Sequence, residues 1–176
     1  MLRSRIFTRS VLATAVIALF ALQPPPAHAQ NCSFNLPTSQ SSYGLSLSIS
    51  GLSSSGLYSP ACYSWGPSAD STGQGVSRQL SATIPVDSTV ATLMTAAQSG
   101  QLLPSAEFQQ TLQGTVSVDI LMTNVHIVSV RTSGAPDALL MTLNLKFDSV
   151  TFTYQPVNTL GQRNGTPVTF SVAFKN

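Results

Sequence analysis

Charge is scarce in this sequence. Lys, Arg, Asp and Glu together make up 8% of its 176 residues, against roughly 25% in ordinary globular chains. Part of the small positive balance of +2 sits in Arg3, Arg5 and Arg9 at the extreme N-terminus. Without those three the remainder carries −1, so no basic footprint for nucleic acid or an acidic membrane surface exists. Histidine is nearly absent: His28 and His126 are the whole complement. Two cysteines, Cys32 and Cys62, lack the C-x-x-C spacing of a zinc site. No G-x-S-x-G elbow, phosphate-cradling glycine loop or metal-binding helix motif occurs. The sequence therefore offers no catalytic constellation, no metal site and no cofactor site.

Long hydrophobic runs are also missing, apart from Val11–Leu22. As a helix that run would reach only about 18 Å at ~1.5 Å per residue, short of the roughly 30 Å bilayer core. A basic start, this apolar run, the break at Pro24–Pro26 and the small-x-small pattern Ala27-His28-Ala29 together read as a secretory signal peptide. Cleavage is expected between Ala29 and Gln30, with an uncleaved anchor as the alternative. Residues 1–29 are then the leader and 30–176 one mature domain, without stable membrane insertion. Asn31, where a small residue is expected, argues against lipid attachment at Cys32. An even cysteine count in an exported chain reads as a Cys32–Cys62 disulfide. Two unrelated buried thiols are the other reading.

What is abundant is alternation. Tyr43, Leu45, Leu47 and Ile49 alternate with glycine and serines, and Leu80, Ala82 and Ile84 repeat the pattern up to Pro85. Tyr63–Trp65 is a short strand candidate, and Glu107–Leu112 another. Thr115–Arg131 is long enough for one bent strand or two. Leu139, Met141, Leu143, Leu145 and Phe147 share a face; Val150, Phe152 and Tyr154 follow; Val168, Phe170, Val172 and Phe174 close the chain. Asn164-Gly165 fits a two-residue hairpin turn before that last strand. Gly51–Gly56 and Pro67–Gly75 read as loops. The period changes only once. Over about residues 87–99, Val90, Leu93, Met94 and Ala97 recur at helical spacing, with Asp87 or Ser88 as N-cap and Gly100 just past the end. Many strands with one mid-chain helix exclude a parallel α/β fold. The expected class is all-β with one helix: an antiparallel barrel or sandwich flanked by a single α-helix that buries Leu93 and Met94.

The remaining candidates for chemistry are weak. His126, in NVHIVSV, is expected beside Val128 and Val130 as a structural side chain. Among the carboxylates only Glu107 and Asp119 are left as a pair, and solvated strand faces are the expected home for both. A hydrolase would need them to converge across a cleft.

Several segments, in order, resemble the Hcp (haemolysin-coregulated protein) family, the tube-forming proteins of type VI secretion. They are LSLSISGL (45–52), YSWGPS (63–68), TIPVDSTVATLMTAAQSGQLLPSAEF (83–108), LMTNVHIVSV (121–130) and MTLNLKFDSVTFTYQP (141–156). The third is the most specific, being similar to the family's strand, acidic turn, helix ending in glycine and following strand. The resemblance implies a compact β-barrel with one flanking helix, self-association into six-membered rings that stack into tubes, a lumen that holds small protein cargo, and no enzyme activity or cofactor. It places Gly51–Gly56 and Pro67–Gly75 where the family's ring-stacking loops fall. The leader peptide and the cysteine pair depart from a family that assembles in the cytoplasm. Together they imply an exported variant, periplasmic or extracellular, with Trp65 packed at the core and Cys62 tied to the mature N-terminus. A monomeric secreted β-sandwich that binds a glycan or protein ligand, through Tyr43, Tyr58, Tyr63 or Trp65, is the competing expectation.

Overall fold

The structure is a computed structural model, and it describes residues 43–53, 56–66, 78–135 and 138–174. Its elements are β1 (Tyr43–Ile49), β2 (Leu57–Tyr58), β3 (Cys62–Ser64), β4 (Gln79–Pro85), α1 (Val90–Ser99), β5 (Leu102–Leu112), β6 (Thr115–Ala135), β7 (Ala138–Lys146), β8 (Ser149–Tyr154) and β9 (Val168–Ala173). Every strand pairing is antiparallel, in the order β2-β1-β5-β6-β7-β4-β3, with β8 and β9 branching from β6. The expected class is therefore observed.

β6 is one long strand, and its length organises the sheet. One stretch of it, from Thr115 to His126, pairs with β5. β7 and β8 meet β6 in one register at their junction: His126 lies opposite Lys146, and Thr123 opposite Ser149. Asn124 faces the break between them and adopts a left-handed conformation at φ 51°. Beyond the break, β4 pairs with β7 and β9 with β8. The start of β4 and the end of β9 meet there. Phe147 donates its N–H to the Arg78 carbonyl, Phe174 donates to the Asp148 carbonyl, and the Arg78 guanidinium lies 4.8 Å over the Phe174 ring.

A short corner joins the two ends of this sheet order. β2 belongs to one end of the sheet and β3 to the other, yet only Ser59-Pro60-Ala61 separates them. The Ala61 N–H donates to the Thr83 carbonyl and anchors the corner. Across the interior, Tyr63 of β3 packs on Phe108 of β5 with ring centroids 4.1 Å apart.

Alternation fixes the core. Leu47, Phe108, Ile120 and Phe152 form one row across β1, β5, β6 and β8, and Ile49, Ala106, Met122 and Val150 form the next. All but Phe152 are buried. Met141, Leu143, Leu145 and Phe147 fill the β7 side and are fully buried, as their spacing predicts. Each such side chain contributes roughly 1.5–3 kcal/mol of transfer free energy. Leu139 shares their parity but is 56% exposed, because the β6–β7 hairpin projects past the core, with Arg131–Gly134 exposed as well.

The helix starts at Val90, later than expected, because residues 88–89 form a turn held by Asp87. The Asp87 carboxylate accepts the Thr89 N–H at 2.8 Å and the Thr89 hydroxyl at 2.6 Å. Both bonds favour the charged form and hold the Asp87 carboxyl below its usual pKa. Gly100 ends the helix at φ 62°, and the Gln101 N–H returns to the Ala96 carbonyl. The buried stripe is Leu93 and Ala96, with Val90 and Ala97 packed beside them; Met94 lies off its axis and is exposed.

One strand boundary and one turn differ from expectation. β5 starts at Leu102 rather than Glu107 despite Pro104. Pro104 has no N–H to give, and Asn124 at that level leaves the regular ladder. The β8–β9 connection turns at Asn158–Gly161 rather than at Asn164-Gly165. Asn158 Oδ1 accepts the N–H groups of Leu160 and Gln162, and Val157 bridges Arg163. Asn164 and Gly165 instead lie at the base of this loop, against Pro156 and Gln155.

Candidate functional site

The residues singled out for chemistry do not converge. Glu107 and Asp119 lie half-buried on the outer face of β5 and β6. One Gln109 amide serves both, donating to Glu107 Oε1 at 2.8 Å and to Asp119 Oδ1 at 3.5 Å. Among the described residues no cleft that would hold a sugar opens between them, and the Gln109 side chain occupies the space. His126 also faces outward, half-buried between Leu102 and Lys146 on the neighbouring strands. It shares its side with exposed Val128 but not with Val130. A bulge between Ile127 and Ser129 makes Val128 an extra residue and returns Val130 to the core side. Among the described residues, no three His, Cys, Asp or Glu side chains cluster as a metal would require.

Among the described residues, two depressions stand out. One, of about 520 Å³, lies between α1 and the β1–β2 turn and is lined by small neutral residues such as Gly51, Ser53, Ala91 and Thr95. The other, of about 190 Å³, lies where Leu57 and Tyr58 meet Pro85 and Asp87. Neither brings an acid and a base together.

The tyrosines and the tryptophan answer the ligand-binding alternative. Tyr58 is 4% exposed. Tyr63 is half-buried, its hydroxyl donating to Gln110 Oε1 at 3.5 Å, and burial pushes its phenol pKa up. Trp65 stacks on Phe152 at 5.7 Å. These three rings pack in or against the core, and of the four aromatics expected at a ligand edge Tyr43 is the exposed one. Cys62 is half-buried on β3; Cys32, Ala29, Gln30, the 67–75 loop and residues 54–55 lie outside the described residues.

The sheet margins carry the surface character of this domain. β9 pairs with β8 on one side, and among the described residues its other edge has no strand partner. Its core-side row also opens outward: Val172 is half-buried, Phe170 is 44% exposed and Val168 is 62% exposed, beside exposed Tyr154. The opposite face of β8 and β9 is a ladder of hydroxyls, with Thr151 bonded to Ser171 at 3.0 Å and Thr153 to Thr169 at 3.3 Å. The alternation of Val168 to Phe174 suggested a strand with one buried face. It did not reveal that, among the described residues, no second layer lies above the start of β9.

Comparison with known proteins agrees with this architecture. Residues 54–158 match the family model described as type VI secretion system effector, Hcp. Among solved structures, Hcp1 from Salmonella typhimurium is similar at 19% identity and a TM-score of 0.64, over 76% of this chain and 95% of that one. A type VI secretion system effector from Yersinia pestis is similar at 13% identity and a TM-score of 0.59, over 73% of this chain and 98% of that one. A structure described only as a type six secretion system protein gives 19% identity and a TM-score of 0.62, over 74% and 96% of the two chains. No curated protein matches the chain.

Proposed function

The chain belongs to the Hcp family of type VI secretion system effectors, structural tube proteins, and from that premise we propose that it is an exported, non-enzymatic subunit that self-assembles into rings of six, stacked into tubes. The observation that carries the reading is the open margin of β9. An edge strand with a free row of backbone groups and apolar side chains is a template for pairing with another chain. In a ring that edge meets a different surface of the next copy, and the rotation closes the assembly. The projecting β6–β7 hairpin, with exposed Leu139, supplies a second such surface. The low charge of the chain supports close self-association, since copies repel one another weakly.

Export is the second part of the reading. The N-terminal pattern up to Ala29 supports cleavage before Gln30, and so a periplasmic or extracellular protein. The absence of a free cysteine among the described residues supports a Cys32–Cys62 disulfide. Small protein cargo in the lumen and a secretion machine are the implied partners. The experiment is light scattering during size-exclusion chromatography on residues 30–176, oxidised, with negative-stain imaging of the main peak. Rings are the expected result; a monomer at all concentrations would remove the assembly reading and favour a monomeric binding module.

A further inference from the structure

Asn164-Gly165 is the single Asn-Gly pair of the sequence, and the fold leaves it out of the turn that such a pair ordinarily makes. Asn158 makes that turn, and Asn164 and Gly165 lie past it, both exposed. The backbone on each side of the pair is held. The Asn164 N–H donates to the Pro156 carbonyl at 2.8 Å, and the Gly165 carbonyl accepts from Gln155 Nε2 at 3.2 Å. Two groups lie between these anchors: the Asn164 side-chain amide and the Gly165 N–H. Neither has a hydrogen-bond partner among the described residues. Gly165 sits at φ 111°, where an L-residue is rarely tolerated, and no Cβ shields its nitrogen.

The other described asparagines lack this combination. Asn144 gives its amide to Ser129 Oγ at 2.8 Å and precedes Leu145, a paired residue inside β7. Asn158 has both side-chain atoms engaged, Oδ1 by Leu160 and Gln162 and Nδ2 by Gln162 Oε1 at 3.1 Å. Asn124 precedes Val125, which is β-branched, buried and paired with Leu103. Only at Asn164 do a free amide side chain, a free following N–H and a missing Cβ coincide.

We propose that Asn164 is a site of spontaneous deamidation, through which the loop leading into β9 acquires a carboxylate. The Gly165 nitrogen attacks Asn164 Cγ. The N–Cγ bond forms, the Cγ–Nδ2 bond breaks, and the Gly165 amide proton leaves with Nδ2 as ammonia. The cyclic succinimide that results is opened by one water molecule at either of its carbonyls. Opening at one gives aspartate with the main chain unchanged. Opening at the other gives isoaspartate, in which the main chain runs through Cβ and Cγ and is one atom longer. Both products are ionised at neutral pH, in a chain where charged residues make up only 8%. The longer backbone of isoaspartate does not fit between the Pro156 and Gln155 anchors with both bonds kept. The base of the loop loosens, and with it the first pairs of β9, Val168 with Tyr154 and Thr169 with Thr153. Where β9 is the edge between subunits, a consequence that rests on the assembly reading above, the new charge beside Val168 also weakens assembly.

The test ages the purified protein at neutral pH and maps its peptides by mass, with isoaspartate identified by isoaspartyl methyltransferase labelling. Conversion concentrated at Asn164, with isoaspartate among the products, is the expected result, and Asn164→Gln should lose the signal. Hydrogen exchange of the aged protein should speed up at the start of β9 and stay unchanged in β4 and β7. Persistence of Asn164 in the folded protein, while the urea-unfolded protein converts under the same conditions, would overturn the proposal, since the fold would then protect the site. Conversion spread evenly over Asn124, Asn144, Asn158 and Asn164 would overturn it as well. Light scattering separates the dependent consequence. Asn164→Asp and aged protein should give smaller assemblies than fresh protein. A fresh protein that is already monomeric would remove the assembly reading, and conversion at Asn164 would still establish the site.

Discussion

Replacing Gly56 by alanine tests how tightly the β1–β2 turn is built. Gly56 is buried and sits at φ 62°. An added Cβ would lie well inside contact distance of the Ile49 carbonyl oxygen and 3.2 Å from its carbon, both backbone atoms of a paired strand. Two costs add. The left-handed conformation costs an L-residue roughly 1–2 kcal/mol. Relieving the clash displaces the hydrogen bond from the Ile49 N–H to the Gly56 carbonyl, 2.7 Å long, which contributes about 0.5–1.5 kcal/mol. The expected loss is therefore about 1.5–3.5 kcal/mol. In a chain of this size each 1 kcal/mol moves the thermal midpoint by about 2–4 °C. Gly114→Ala is the control: its φ is 79°, but nothing lies within 4 Å of the added Cβ. It should cost only the roughly 1–2 kcal/mol conformational part. Urea denaturation followed by circular dichroism measures both. Equal losses in the two variants would refute the steric argument and with it the close approach of Gly56 to Ile49.

Reduction of the proposed Cys32–Cys62 disulfide, which would close a loop of about 30 residues, should lower stability by roughly 3–4 kcal/mol on the chain-entropy account; urea midpoints with and without reductant measure it. Asp87→Ala should cost about 1 kcal/mol through the lost turn at the start of α1. Because the folded pKa of Asp87 is depressed, its contribution is present above the unfolded carboxylate value and is lost as pH falls through the folded one. Stability curves of the unmodified and Asp87→Ala proteins should therefore converge in acid. Glu107→Gln with Asp119→Asn should change stability by no more than about 0.5 kcal/mol, as surface substitutions on an outer face do; loss of a hydrolytic activity in this variant would contradict the structural reading.

The parts of the fold that were legible share one physical feature: a single period with one buried side. Leu80, Ala82 and Ile84 on β4 and every second residue from Met141 to Phe147 are buried on one side of their strands only, so alternation alone identified them. Gly100 was legible because only a residue without Cβ takes the left-handed end of α1 at no steric cost. The failures occur where one residue breaks the period. Val128 bulges out of β6 and reverses the parity assumed for His126 and Val130. Asn158 captures two backbone N–H groups and draws the β8–β9 turn away from Asn164-Gly165. Met94 satisfies helical spacing yet faces solvent, because Leu93 with Ala96 sets the contact stripe. The functional surface was least legible. A chain shows that Val168 and Phe170 alternate, but whether a second layer lies above them depends on where β3 ends.

The central claim is assembly through the open margin of β9, and a charge placed in that margin tests it most directly. Val168 is 62% exposed and is not needed by the monomer core. Light scattering during size-exclusion chromatography, with negative-stain images, should show rings for residues 30–176 and monomers with unchanged circular dichroism for Val168→Lys. Rings of the same size from Val168→Lys would contradict the placement of the interface, and monomers from both proteins at every concentration would contradict assembly itself.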